Sequence, residues 1–262
     1  MRRLKATGHS FSRRRANKPV MRKALILVSA ALLTVARAAP KEIEISSGEN
    51  NTALLELFTS EGCSSCPPAE EWLSRQAKSP ELWKRFVPVA FHVDYWNYLG
   101  WTDPYSSPEW SARQRDYSRL GQARSVYTPG FFLNGREWRI GENLSGQPKV
   151  GVLKLKIRQD GTVGADFSPV ARSTGPYLLT VAPLACGVDQ RVKGGENAGK
   201  TLHHDFVAFA IVQGSMMPDS QGRFTATLSI SPGVAADMKA VAAWVTQGDE
   251  ATPIQAAGGW TK

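Results

Sequence analysis

Cys63-Ser64-Ser65-Cys66 lies between an apolar run, Thr52 to Phe58, and a polar stretch opened by Pro67-Pro68. Cysteines at this spacing can pass between dithiol and disulfide. The first attacks as a thiolate and the second resolves the mixed disulfide. A helix start offers unpaired N–H groups and the positive end of the dipole. Cys63 is therefore expected to be the exposed, more acidic thiol, below the free value of about 8.5, and Cys66 the buried one. The same residue types admit other chemistry. An oxidising compartment favours a purely structural bridge. Cys63, Cys66, Cys186 and His203 or His204 supply enough ligands for zinc. Copper(I) would suit Cys63 and Cys66 with His92.

His92 and Asp94 stand two apart on a strand candidate, hence on one face, as an acid/base pair or a structural contact. Tyr95, Trp96, Tyr98, Trp101, Tyr105 and Trp110 follow and either border a peptide-binding surface or fill an insertion. His203 and His204 read as surface residues. Cys186 sits in an apolar stretch and reads as a buried inert thiol. Gly194 to Gly199 has no phosphate-loop pattern and reads as a loop.

The elements that must position these groups follow an α/β order as far as residue 145. Thr52 to Phe58 and Phe86 to Val93 read as buried strands. Ala69 to Ala77 reads as a helix after its two prolines. Pro108 to Leu120 is a second helix, with Trp110, Tyr117 and Leu120 inward. Val126 to Leu133 leads into Asn134-Gly135, a hairpin signal, with Arg136 to Ile140 as the return strand. Gly, Asn, Ser and Pro cluster from Gly141 to Lys149, and the character then changes. Leu153, Leu155 and Ile157 alternate with Lys154, Lys156 and Arg158, ahead of a turn at Asp160-Gly161. Phe224 to Ile230 alternates likewise. Tyr177 to Ala182, Phe206 to Val212 and Ala240 to Thr246 are further strand candidates. Short strands with little helix indicate an antiparallel sandwich of immunoglobulin-like size.

The formal charge of +9 suggests nucleic acid until it is located. Residues 1–38 hold ten Lys and Arg and no acid, leaving 22 basic against 23 acidic residues in the remainder. A nucleic-acid partner loses its support. Met21-Arg22-Lys23, the apolar run Ala24 to Ala36 and the small residues Ala36 and Ala38 form a secretory signal pattern. Met21 is the expected start, Ala39 the expected mature terminus, and the periplasm or exterior the expected compartment. The run is too short for a membrane anchor, so no stable span is expected after cleavage.

Leu57-Phe58-Thr59-Ser60-Glu61-Gly62-Cys63-Ser64-Ser65-Cys66-Pro67-Pro68-Ala69 resembles the opening motif of a secreted bacterial family, domain of unknown function 1223. The likeness continues through Ala90 to Trp96, Leu99-Gly100-Trp101, Arg113-Gln114, Tyr127-Thr128-Pro129 and Asn134-Gly135. It returns at Gly195 to Leu202 and Gln255 to Gly259. The resemblance implies a thioredoxin-like first domain. From that wider superfamily, Thr128-Pro129 resembles the dipeptide whose cis proline packs against the dithiol. Glu56 resembles the buried carboxylate that takes up protons during reduction.

The expected architecture is therefore an α/β thioredoxin-like domain at 52–145, followed by an all-β immunoglobulin-like sandwich at 150–262. A leader at 1–38 and a linker at 39–51 precede them. The expected function is thiol–disulfide exchange with a protein or small-molecule partner, without a cofactor. Cys63, Cys66, Thr128 and Pro129 would form the catalytic group, and Glu56, His92 and Asp94 would move protons. The alternatives are a copper-binding or copper-delivery protein, and a non-catalytic interaction protein with a structural disulfide.

Overall fold

The first half of the chain forms β1 (Glu42–Ser46), β2 (Ala53–Thr59), α1 (Pro67–Arg75), β3 (Phe86–His92), α2 (Pro108–Arg119), β4 (Gly130–Leu133) and β5 (Arg136–Glu137). The second half forms β6 (Gly151–Arg158), β7 (Thr162–Pro169), β8 (Tyr177–Ala185), β9 (Val188–Arg191) and β10 (Thr201–His204). It continues with β11 (Val207–Ala208), β12 (Val212–Pro218), β13 (Phe224–Ser229), α3 (Pro232–Asp237), β14 (Ala240–Gln247) and β15 (Gln255–Trp260). These elements come from a computed structural model, which describes residues 42–143, 148–171, 174–248 and 251–261. The expected leader and its cleavage site lie outside the described residues.

The expected pair of folds does not form. Thirteen strands make one mixed sheet, ordered β1-β6-β7-β13-β12-β8-β11-β3-β2-β4-β5, with β14 on β8 and β15 on β14. The joint is the two-residue strand β11. It runs parallel to β3 through Val207 and Ala90, and antiparallel to β8 through Val207 opposite Ala185. A thioredoxin-like α/β domain followed by a separate immunoglobulin-like sandwich is thus corrected to a β-rich fold with one continuous sheet.

The reason is burial on both faces of the shared strands. Val241, Ala243 and Val245 of β14 pack in one core with Leu153, Leu155 and Phe167. Ala240, Ala242 and Trp244, on the opposite face, pack in the other core with Leu54, Phe58 and Phe91. A strand covered on both sides is apolar throughout, so its pattern does not say which sheet it joins.

Other elements follow their sequence signals more closely. Ser107 caps α2 by accepting the Glu109 N–H at 3.1 Å, and Pro108 occupies its first turn. Trp110, Ser111, Gln114 and Tyr117 face inward at helical spacing. Leu120, expected beside them, lies past the helix end and is exposed. Asn134 and Gly135 both have positive φ, 48° and 77°, as a two-residue hairpin turn requires. The strand before that turn begins only at Gly130, and the return strand is two residues long. Glu42–Ser46, expected within a linker, is a strand antiparallel to β6.

Candidate functional site: a buried dithiol loop over an imidazole–carboxylate cluster

β2 and β3 lie side by side and parallel, so the loops leaving Thr59 and His92 emerge at the same edge. The first loop carries the cysteines and the second the aromatic stretch. Cys63 and Cys66 are joined as a disulfide, with Cα atoms 5.5 Å apart. Both are buried, at 1% and 0% exposure, so Cys63 is not the exposed partner expected from sequence.

Most amides at this helix start are turned to backbone carbonyls rather than to the sulfur. Pro67 and Pro68 have no N–H. The Ala69 and Glu70 amides donate to the Cys66 carbonyl at 2.9 and 3.1 Å, and the Cys66 amide donates to the Cys63 carbonyl at 3.3 Å. The polar group on the Cys63 sulfur is the Ser65 hydroxyl, at 3.3 Å.

A distant loop holds the dithiol turn in place. Asn197, fully buried, donates from Nδ2 to the carbonyls of Glu61 at 3.0 Å and Cys63 at 2.8 Å. Glu196 accepts the amide of Ser64 at 2.9 Å and its hydroxyl at 2.6 Å. These bonds hold the Glu196 carboxyl below the usual carboxylate range. Gly195 has φ +70°, and a side chain there would press on Gly62. On the other flank, Trp96 packs beside Gly62 and donates from Nε1 to Thr128 Oγ1 at 2.7 Å. Thr128-Pro129 is cis, as expected.

Beside this loop lies a buried cluster of charge. β10 contributes His204, 1% exposed, whose Nδ1 donates to Glu70 Oε2 at 2.5 Å and whose Nε2 donates to Glu61 Oε1 at 3.1 Å. Glu70 sits one helical turn after Cys66, on the inner face of α1. Its other oxygen accepts the hydroxyl of Thr59. Glu61 Oε2 accepts from Trp101 Nε1 at 2.6 Å. His92 ends β3, and its Nδ1 is 2.7 Å from Asp103 Oδ2. Asp103 Oδ2 also accepts the Glu61 amide at 2.9 Å. The two imidazole rings meet edge to face, with centroids 5.0 Å apart.

Burial opposes a charge on His204, but hydrogen bonds to Glu61 and Glu70 outweigh it and push its pKa up to about 10. Burial likewise opposes a charge on His92, and the Asp103 carboxylate overcomes it, raising the pKa. Burial pushes Glu70 up, yet the His204 hydrogen bond and the neighbouring imidazoles leave it below its ordinary value. Asp103 is lowered too, with the charge of His92 outweighing burial.

The model of a family described as "Protein of unknown function (DUF1223)" matches residues 54–246. This chain belongs to the DUF1223 family. Its fold resembles a crystal structure of protein AGR_C_4864 from Agrobacterium tumefaciens, with 26% identity and a TM-score of 0.60, over 82% of this chain and 96% of that one. It also resembles HBP35 of Porphyromonas gingivalis, with 18% identity and a TM-score of 0.56, over 82% of this chain and 76% of that one. No curated protein matches the DUF1223 chain.

The DUF1223 chain brings together only part of the expected group. Glu56 is fully buried but points away from Thr59, to the other face of β2. There it accepts from Arg113 Nε at 2.6 Å and the Tyr117 hydroxyl at 2.8 Å. Arg113 lies over the rings of Phe91, Tyr117 and Trp244. Asp94 pairs with the Ser111 hydroxyl at 2.5 Å, so it is not His92's partner. His204, read as a surface residue, is a buried member of the cluster, while His203 is exposed and bonds Asp189 and Asp205. Cys186 is half-buried and burial pushes its thiol up to about 11. Among the described residues, the His, Cys, Asp and Glu side chains gathered closely enough to hold a metal ion are Glu70, His92 and His204.

Sequence reasoning passed over Glu61, Glu70, Asp103, Glu196 and Asn197 as site residues. Three of them, Glu61, Glu196 and Asn197, lie inside the segments that carry the family resemblance. Their polar identity in those segments was the available signal.

Proposed function

We propose that this protein carries out thiol–disulfide exchange outside the cytoplasm. The observation that carries the reading is the Cys63–Cys66 disulfide at the strand-to-helix turn. In the reduced form, Cys63 would attack a partner disulfide and release one partner thiolate. Cys66 would then displace the second, leaving the disulfide here and two thiols on the partner. The Ser65 hydroxyl is placed to donate to the Cys63 thiolate. The Cys66, Ala69 and Glu70 amides are engaged with backbone carbonyls, and Glu196 holds the Ser64 amide and hydroxyl. The leader pattern at 21–38 supports the compartment. Among the described residues no helix is long and apolar enough to cross a membrane.

One observation favours a second reading, a structural cross-link: both cysteines are buried. Mixed-disulfide trapping separates the two. Under the exchange reading, Cys66→Ser in intact cells accumulates covalent adducts that dithiothreitol releases, and Cys63→Ser/Cys66→Ser accumulates none. Absence of adducts, together with a disulfide that the glutathione pool cannot reduce, would establish the cross-link.

A further inference from the structure

Each imidazole of the buried cluster has one nitrogen held by its own carboxylate. His92 Nδ1 is held by Asp103 Oδ2 at 2.7 Å, and His204 Nε2 by Glu61 Oε1 at 3.1 Å. That fixes both rings and leaves the second nitrogen of each to face a third group. For His204 that nitrogen is Nδ1, 2.5 Å from Glu70 Oε2. For His92 it is Nε2, which is buried and has no hydrogen-bond partner among the described residues. Glu70, His92 and His204 line one small void, and one ligand atom from each lies within 4.8 Å of the others. A buried ring nitrogen that faces a carboxylate and a second imidazole without a hydrogen bond is placed to take a ligand.

We propose that Glu70, His92 and His204 bind one divalent first-row metal ion, with Asp103 and Glu61 orienting the two histidines. An imidazole that ligates a metal commonly gives its other nitrogen to a carboxylate, the arrangement present twice here. Two imidazole nitrogens and one carboxylate oxygen suit zinc or a similar divalent cation. The Cys63 and Cys66 sulfurs are not part of this ligand group. Bonds of about 2.0–2.1 Å in a tetrahedral site place ligand atoms about 3.3 Å apart. The His204–Glu70 contact must open by less than about 1 Å, and the wider separations must close by up to about 1.5 Å. The three ligands come from α1, β3 and β10, so the ion would tie the helix below the dithiol to the sheet and to the two-stranded ribbon.

The test is zinc titration of the metal-stripped full chain, disulfide intact, against a chromophoric chelator. The expected result is one equivalent bound with Kd below about 1 μM. Cobalt(II) in its place should give visible ligand-field bands without a thiolate-to-cobalt band in the near ultraviolet. Glu70→Gln should weaken binding more than about 100-fold and Asp103→Asn about 10- to 100-fold, while His203→Gln leaves it unchanged. Cys63→Ser/Cys66→Ser should bind as the parent does, which separates this site from the exchange chemistry. No equivalent bound, unchanged affinity in Glu70→Gln, loss of binding in the cysteine variant, or a thiolate band would each overturn the proposal. Should Glu70→Gln not fold, the stoichiometry and cobalt spectrum of the parent protein decide it.

Discussion

Replacing His204 with Leu removes the one cation between two buried carboxylates. The rise of the His204 pKa from 6.5 to about 10 measures how strongly Glu61 and Glu70 hold its charge. At about 1.4 kcal/mol per pKa unit, the rise corresponds to roughly 5 kcal/mol. After the substitution Glu61 keeps Trp101 and Glu70 keeps Thr59, so neither is stripped of donors. The loss should therefore fall in the range for breaking a buried pair, about 3–5 kcal/mol. In urea, with a slope near 3 kcal/mol/M for a chain of this size, the midpoint should drop by about 1–2 M. The pH dependence carries a sign. A raised histidine pKa gives stability that is complete below about 6.5 and is lost as pH climbs toward about 10. A lowered Glu70 pKa gives stability present above its unfolded value and lost as pH falls. The parent-minus-variant difference should be largest between about pH 5 and 6.5 and shrink steadily toward pH 10. Both proteins are to be unfolded in EDTA so that no metal contributes. A difference below about 1 kcal/mol at pH 7, or one that stays flat to pH 10, would refute the ion-paired cluster.

Arg113→Met should cost about 3–5 kcal/mol by stranding Glu56, and the double variant with Glu56→Leu should recover most of it in urea unfolding. Gln255→Ala should cost about 2–4 kcal/mol by thermal or urea unfolding, because the side chain serves five backbone groups around Gly48, Asn50, Gly151, Thr52 and Ala256. Asn197→Ala frees the Glu61 and Cys63 carbonyls, so a small phosphine should reduce the Cys63–Cys66 disulfide about tenfold faster than in the parent. An unchanged rate would mean that the 194–199 loop does not guard the sulfurs.

Elements with a one-sided environment were legible in the sequence. β6 alternates because one face meets the core and the other meets water, and Leu153, Leu155 and Ile157 are buried as expected. The Asn134-Gly135 turn and the two proline-started helices depend on local backbone chemistry, which sequence carries directly. What failed was the assignment of partners to β8, β11 and β14. β11 is two residues long, below the reach of any periodicity, yet it is the strand through which the two sets of strands become one sheet. Its position is set by Val207 filling a place between Ala90 and Ala185, a tertiary fact.

The site divides in the same way. The dithiol was legible because its chemistry is contained in four consecutive residues, and the cis proline because its place before the Asn134-Gly135 hairpin and the likeness to a wider superfamily pointed to it. The carboxylates were misassigned for a geometric reason. Glu56 and Thr59 are three apart on one strand, so they face opposite sides of the sheet. A carboxylate at 56 therefore faces α2 and Arg113, and the face below the cysteines is served from α1 by Glu70 instead. His204 looked exposed because it adjoins His203 in a polar stretch. Alternation along β10 turns His203 outward to Asp189 and turns His204 inward to Glu70. A buried histidine flanked by polar neighbours carries no hydrophobic signature of its own. Its burial is bought by Glu61 and Glu70, which lie 143 and 134 positions away in the chain.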